Sequence, residues 1–177
     1  MLDKILKVLR ITALCIVAAL IVAALLYFVP WSTPVDLTLN AVKLDENGNE
    51  IGTAEIHIKG HKLDYLFRDS RLDVDIEPFD VVENAQLVQG SNGSGSITTF
   101  NFTDVPMMEL YFTCNDKQEN DFTWLHLTFT EEMDCFVLRL LRDSGNMYYV
   151  ASSSGNYDTQ GVIDYFKDIG VSLVPGR

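Results

Sequence analysis

The chain has 177 residues, 47% hydrophobic and 21% charged, with a formal net charge of −12. Asp3, Lys4, Lys7 and Arg10 precede its first apolar stretch, so the rest holds 24 acids and 10 bases, a net charge of −14. That balance argues against nucleic acid and anionic lipid headgroups as partners and favours solubility, cations or basic partners.

The stretch Ile11–Val29 carries no charge over 19 residues. As a helix it is roughly 28 Å long, the hydrocarbon thickness of a bilayer. The cations before it predict a cytoplasmic segment at residues 1–10, too short for a domain of its own. A transmembrane anchor at 11–29 follows, then a linker at 30–34 and one extracytoplasmic β domain at 35–177, of ordinary single-domain size. The alternative is a signal peptide cleaved near Val22-Ala23-Ala24, which would leave a secreted protein. Lipidation at Cys15 does not fit, because the apolar run continues past it. No glutamate lies within the stretch, which sets aside a pilin-like helix.

Asn47-Gly48 signals a hairpin, because a type I′ turn needs positive φ at both central residues. Folding about it sets Leu39 opposite Ile56, Leu37 opposite Ile58 and Ala41 opposite Ala54 on one apolar face. The other face pairs Asp36 with Lys59, Thr38 with His57 and Asn40 with Glu55, and a one-residue slip would mix the two. A second hairpin turning near Asp69-Ser70 is expected to set Phe67 opposite Leu72, Tyr65 opposite Val74 and Leu63 opposite Ile76. It also opposes Asp64 to Asp75, an unfavourable like-charge pair.

GSNGSGS at residues 90–96 reads as a loop rather than a phosphate cradle, since no lysine or helical pattern follows. An extended segment is expected from Ile97 to Thr103. Met107–Cys114, Phe122–Thr130 and Cys135–Leu141 then read as a meander. Its predicted register collects Leu110, Phe112, Trp124, Leu138 and Leu140 on one face, with His126 among them as a hydrogen-bonded core histidine. The other face collects Glu109, Tyr111, Leu125, Leu127, Val137 and Arg139, and it needs a cover or is a binding patch. Cys114 falls opposite Phe122 and Cys135 opposite Phe129, roughly 23 Å apart along the shared strand. No disulfide is therefore predicted, a Cys114–Cys135 bridge being the alternative if the strands do not form a simple meander.

Val162, Ile163, Phe166 and Ile169 recur at helical spacing after Asp158 or Thr159 as cap, and Gly170 stops the run. This helix is expected to cover the second face, ahead of a short strand or tail at Val171–Val174. The predicted fold is mainly β: an N-terminal transmembrane helix, one antiparallel β-sandwich-like extracytoplasmic domain and a short C-terminal helix.

Asp45, Asn47, Asn49 and Glu50 are weak cation candidates. Counted from Asp45, however, Glu50 and Ile56 stand where a calcium loop needs Gly and Glu, and a turn accounts for them. Asp73, Asp75 and Glu77 line one strand face at steps of roughly 7 Å, a solvated acidic face by default. His57 and His61 lack a third ligand, so no metal is assigned. GxSxG, HExxH and CxxC are absent, and neither a catalytic residue nor a cofactor is predicted. Asn92-Gly-Ser and Asn101-Phe-Thr match glycosylation acceptors. These features favour a single-pass, membrane-tethered binding or interaction module with a protein or glycan partner outside the cytoplasm, or a subunit of a surface complex. The alternative is an extracytoplasmic hydrolase working through Asp73, Asp75 or Glu77.

Overall fold

A computed structural model describes residues 2–66, 71–82, 85–89, 107–130, 132–142 and 144–172. The loop at 90–96, the segment Ile97–Thr103, both glycosylation motifs, the Asp69-Ser70 turn and the end of the C-terminal tail lie outside the described residues. Helix α1 spans Leu2–Phe28, starting nine residues before the uncharged stretch. From Lys4 to Phe28 it is long and apolar enough to cross a membrane, and none of its most apolar window is buried against the rest of the protein. It has the length and composition of a membrane anchor or a signal sequence.

Among the described residues nine strands follow: β1 Trp31–Leu44, β2 Glu50–Asp64, β3 Arg71–Glu77, β4 Phe79–Val81, β5 Ala85–Gln89, β6 Met107–Asp116, β7 Asp121–Thr130, β8 Cys135–Leu141 and β9 Met147–Ser152. Trp31 to Pro34, expected as linker, already belong to β1, so only Val29 and Pro30 separate helix from sheet. The strands close into an eight-strand barrel rather than a sandwich. β1 pairs with β9 through Val42–Leu44, β2 pairs with β3, and β4 and β5 share the one position between β3 and β6. Sandwich and barrel demand the same alternation within each strand. They differ only in whether the first hairpin joins both ends of the remaining sheet, which no local pattern reports.

Alternate residues of every long strand point inward. Leu39 and Ala41 on β1, Ile56 and Ile58 on β2, and Leu72 and Ile76 on β3 are buried. Leu110 and Phe112 on β6, Leu125 and Leu127 on β7, and Leu138 and Leu140 on β8 complete a single interior cluster. Burying each such side chain contributes about 1.5–3 kcal/mol, and an eight-strand barrel is just narrow enough for side chains to fill.

The first hairpin has the predicted pairs throughout, Leu39 with Ile56, Leu37 with Ile58 and Asp36 with Lys59 included. Its turn is different. Gly48 alone takes positive φ, at 78°, while Asn47 does not. The Gly48 N–H donates to the Asp45 carbonyl and Asp45 N–H to the Asn49 carbonyl, making a three-residue loop. Leu44 consequently faces Glu50, and a bulge before the Lys43–Gly52 pair restores the register that a two-residue turn would have given.

The second hairpin is antiparallel as expected, but its register is five residues away. Ile58 faces Ile76, Gly60 faces Val74 and Lys62 faces Leu72. Asp75 therefore meets Lys59 and Asp73 meets His61, replacing the like-charge pair with complementary ones. Gly60 permits it: a Cβ there would lie 2.1 Å from the Asp73 carbonyl oxygen, so β3 approaches only because none exists.

Helix α2, Thr159–Asp168, forms where predicted. Asp158 caps it by accepting from the Gly161 N–H at 2.7 Å, and Gly170 ends it at φ 84°. Val162, Ile163 and Phe166 pack on Leu44, Cys135, Val137, Tyr148 and Val150, the outward residues of β1, β8 and β9. The helix covers the second face, as expected, though only on its β8–β9 side.

Candidate functional site

The β6–β7–β8 meander is present, with Leu110 paired to Leu127 and Leu127 to Leu138. This is one residue from the predicted register, and such a slip exchanges faces along β7. Leu125, Leu127 and Phe129 go inside, while Trp124, His126 and Thr128 go to the outer wall. The cause is apolar content: with β7 so set, Leu110, Phe112, Leu125, Leu127, Leu138 and Leu140 all share the interior, which the predicted register divided between two faces.

On the outer wall, the cross-strand rows bring together residues far apart in sequence. Tyr111, His126, Arg139 and Tyr148 form one row across β6 to β9. Thr113, Trp124 and Leu141 form the next toward the barrel end that holds Arg142. The His126 ring stacks on Tyr111 with centroids 4.3 Å apart and planes 10° from parallel. Arg139 Nη2 lies 3.1 Å from His126 Nδ1, and arginine can only donate. Nδ1 must therefore accept, which puts the imidazole proton on Nε2, 3.5 Å from Glu109 Oε1. Tyr111 completes the set by donating its hydroxyl to Glu109 Oε2 at 3.3 Å. Burial, reinforced by the Glu109 charge, pushes the Tyr111 phenol up to about 12.

Glu109 and His126 are buried in this wall, at 3% and 2% exposure, whereas Trp124 is 58% exposed. Polar atoms are left over. Thr113 Oγ1, His126 Nε2 and Arg139 Nε are buried without a hydrogen-bond partner among the described residues. Three of the four such atoms thus lie on one wall, the fourth being Arg142 Nε. Chemically the arrangement is a chain of fixed donors and acceptors beside an exposed indole. Neither described cysteine outside α1 joins it, since Cys114 lies inside the barrel and Cys135 lies beneath α2.

The fourth atom belongs to the barrel end where β6 turns into β7. The Arg142 guanidinium pairs with Asp116, Glu119 and Asp121, and Glu119 also takes Lys43 at 3.2 Å. Asp116 in turn accepts from the Gln118 N–H at 2.9 Å and caps the hairpin. Neither this network nor the Glu109–His126–Arg139 chain is legible in the sequence. The available signal was a polar residue at matching depth on each of three consecutive strands, visible only in the correct register.

The other candidate residues are dispersed. Asp45 accepts from the Asn47 and Asn49 N–H groups at 2.9 and 2.8 Å and from the Asn49 side chain at 3.0 Å, which closes the turn and holds the carboxyl below its ordinary range. Glu50 is exposed on β2, paired with Leu44. Asp73, Asp75 and Glu77 stand exposed between buried Leu72, Val74 and Ile76. His57 meets Glu55 at 2.9 Å and Thr38 at 3.1 Å, and His61 meets Ser32 at 3.0 Å. Among the described residues, no group of three or more His, Cys, Asp and Glu side chains is placed to hold a metal ion. Both cysteines outside α1 are buried free thiols, Cys114 raised to about 11 and Cys135 to about 12, in each case mainly by burial.

No protein-family model, no curated protein and no solved structure matches this chain.

Proposed function

We propose that the protein is a membrane-tethered binding module, with its N-terminus in the cytoplasm and its barrel outside, that engages a protein partner through the outer wall around Trp124. The exposure of Trp124 carries this reading: a large aromatic stands clear of a wall whose adjoining row is buried at His126 and Tyr148 and half-buried at Tyr111 and Arg139. Tryptophan, tyrosine and arginine dominate the energetics of protein interfaces, and Trp124, Tyr111 and Arg139 supply all three on adjacent strands. The stacked and hydrogen-bonded cluster beneath keeps those groups rigid, which limits the entropy lost on association. Lys4, Lys7 and Arg10 support the orientation, since cations flanking a short N-terminal segment hold it inside.

A photo-crosslinking residue at position 124 of the full chain, expressed in its own membranes, tests the proposal. A discrete adduct that disappears with Arg139→Glu is expected. An adduct pattern indistinguishable from that of the same probe at Ile51, exposed on β2 away from the wall, refutes it. Adducts to glycan rather than protein would reassign the partner class. The hydrolase reading gains no specific support, because Asp73, Asp75 and Glu77 stand apart along an exposed face.

A further inference from the structure

The junction between helix and barrel imposes a distance constraint. α1 ends at Phe28 and β1 begins at Trp31, so the connection through Val29 and Pro30 spans about 10 Å at most. The barrel rim at the start of β1 is thus held close to wherever the helix leaves the bilayer. Trp31 faces Asp64 and Ser32 faces Leu63, which brings the end of β2 and the following Tyr65 and Leu66 to that same rim. Leu63 in turn faces Arg71, so the start of β3 adjoins it.

The composition of this rim differs from the rest of the domain. Phe28, Val29, Trp31 and Leu66 are each at least half exposed, at 66%, 58%, 56% and 50%. They form an apolar set continuous with a helix whose most apolar window is unburied. Lys62 pairs with Asp64 at 3.4 Å, and Arg71 stands at the same rim. Tryptophan at the end of a spanning helix is the residue most at home in the headgroup region, where its apolar ring is buried and its N–H stays wet.

From the short connection and the exposed apolar rim, we infer that the barrel does not hang from its anchor but sits in the bilayer. Trp31 and Leu66 enter the boundary between headgroups and acyl chains of the same membrane that α1 crosses. The inference rests on α1 being an uncleaved anchor. Two contacts, one on β1 and one just past the end of β2, added to the helix, fix the tilt of the barrel and so the direction in which the Trp124 wall faces.

The chain contains two tryptophans, Trp31 and Trp124, which makes fluorescence specific. The test uses the full chain in phosphatidylcholine vesicles, with and without bromine in the upper acyl chain. Three proteins are compared: Trp124→Phe, which keeps Trp31; Trp31→Phe, which keeps Trp124; and Trp31→Phe/Trp124→Phe/Leu66→Trp, with its sole indole at 66. Leu66 is half exposed, so the larger side chain is accommodated, and far-UV circular dichroism verifies each fold. The sole indole at 66 should emit at shorter wavelength than Trp124 and lose as much emission to brominated lipid as Trp31 does. Emission from position 66 that matches Trp124 and ignores bromine, in protein that floats with the vesicles, overturns the seating and leaves the anchor intact. Protein that fails to float overturns the anchor, and the seating with it.

Discussion

Gly60→Ala probes the seam on which barrel closure depends. The new Cβ would lie 2.1 Å from the Asp73 carbonyl oxygen and 2.7 Å from Val74 Cα, so β3 must retreat or β2 must twist. Both obstacles are backbone, with no rotamer to move aside, which places the collision at about 3 kcal/mol, the upper end of overpacking penalties. Backbone strain adds to it, because Gly60 has φ +156°. Gly52 provides the control. Its φ is +154° and nothing lies within 4 Å of its would-be Cβ, so Gly52→Ala carries the strain without the collision. At 2–4 °C per kcal/mol for a chain of this size, Gly60→Ala should melt about 6–12 °C below Gly52→Ala. Thermal unfolding of the full chain in detergent, followed by far-UV circular dichroism, measures the difference. Equal melting temperatures for the two variants would show that β3 does not approach β2 at Gly60, and the barrel closure described above would be wrong.

Arg142→Met leaves the Asp116 carboxylate buried without its cation and should lower unfolding free energy by about 3–5 kcal/mol in denaturant titrations. Adding Asp116→Asn should recover most of the loss; no recovery would show that the guanidinium acts through packing alone. Alkaline titration tests the buried phenols. Tyr111 and Tyr149 are raised from 10.0 to about 12, mainly by burial, so above pH 10 the unfolded chain holds fewer protons than the folded one. Stability should fall as pH rises from 10 toward 12, and Tyr111→Phe should remove part of that slope; phenolate absorbance showing all tyrosines ionising together near 10 in folded protein would contradict it. At the cap of α2, Asp158→Ala should cost about 1 kcal/mol and Asp158→Asn much less, read as the change in denaturant midpoint.

The parts of the fold legible in sequence were those encoded within one hairpin or one helix. α2 was readable in full, because cap, apolar stripe and terminating glycine agree over residues 158–170. In β2 the apolar residues change phase around Gly60, from Ile56 and Ile58 to Leu63 and Tyr65. That change points to partners five residues away from the true ones, because the structure keeps the original phase and leaves Gly60 and Lys62 at inward positions. The charges carried the missing information: His57, Lys59 and His61 match Glu77, Asp75 and Asp73 one for one. Closure of the barrel was not readable, since it depends on β1 meeting β9 more than a hundred residues later.

The first hairpin and the meander show where register information resides. In the hairpin the turn differs from expectation and Leu44 rather than Asp45 faces Glu50, yet the pairs from Lys43–Gly52 outward match, because the apolar residues of β1 and β2 tolerate only one alignment and the bulge adjusts the turn to suit. In the meander no such restriction operates locally. β7 offers Trp124, His126 and Phe122 on one parity and Leu125, Leu127 and Phe129 on the other, so both faces look buried. What decides between them is the interior of the closed barrel, which takes the leucines because β6 and β8 already present Leu110, Phe112, Leu138 and Leu140 there. His126 is thereby turned outward onto Tyr111 and Arg139. The candidate site is thus a consequence of closure: the wall that bears it acquires its residues only once the rest of the sheet has claimed the others for the core.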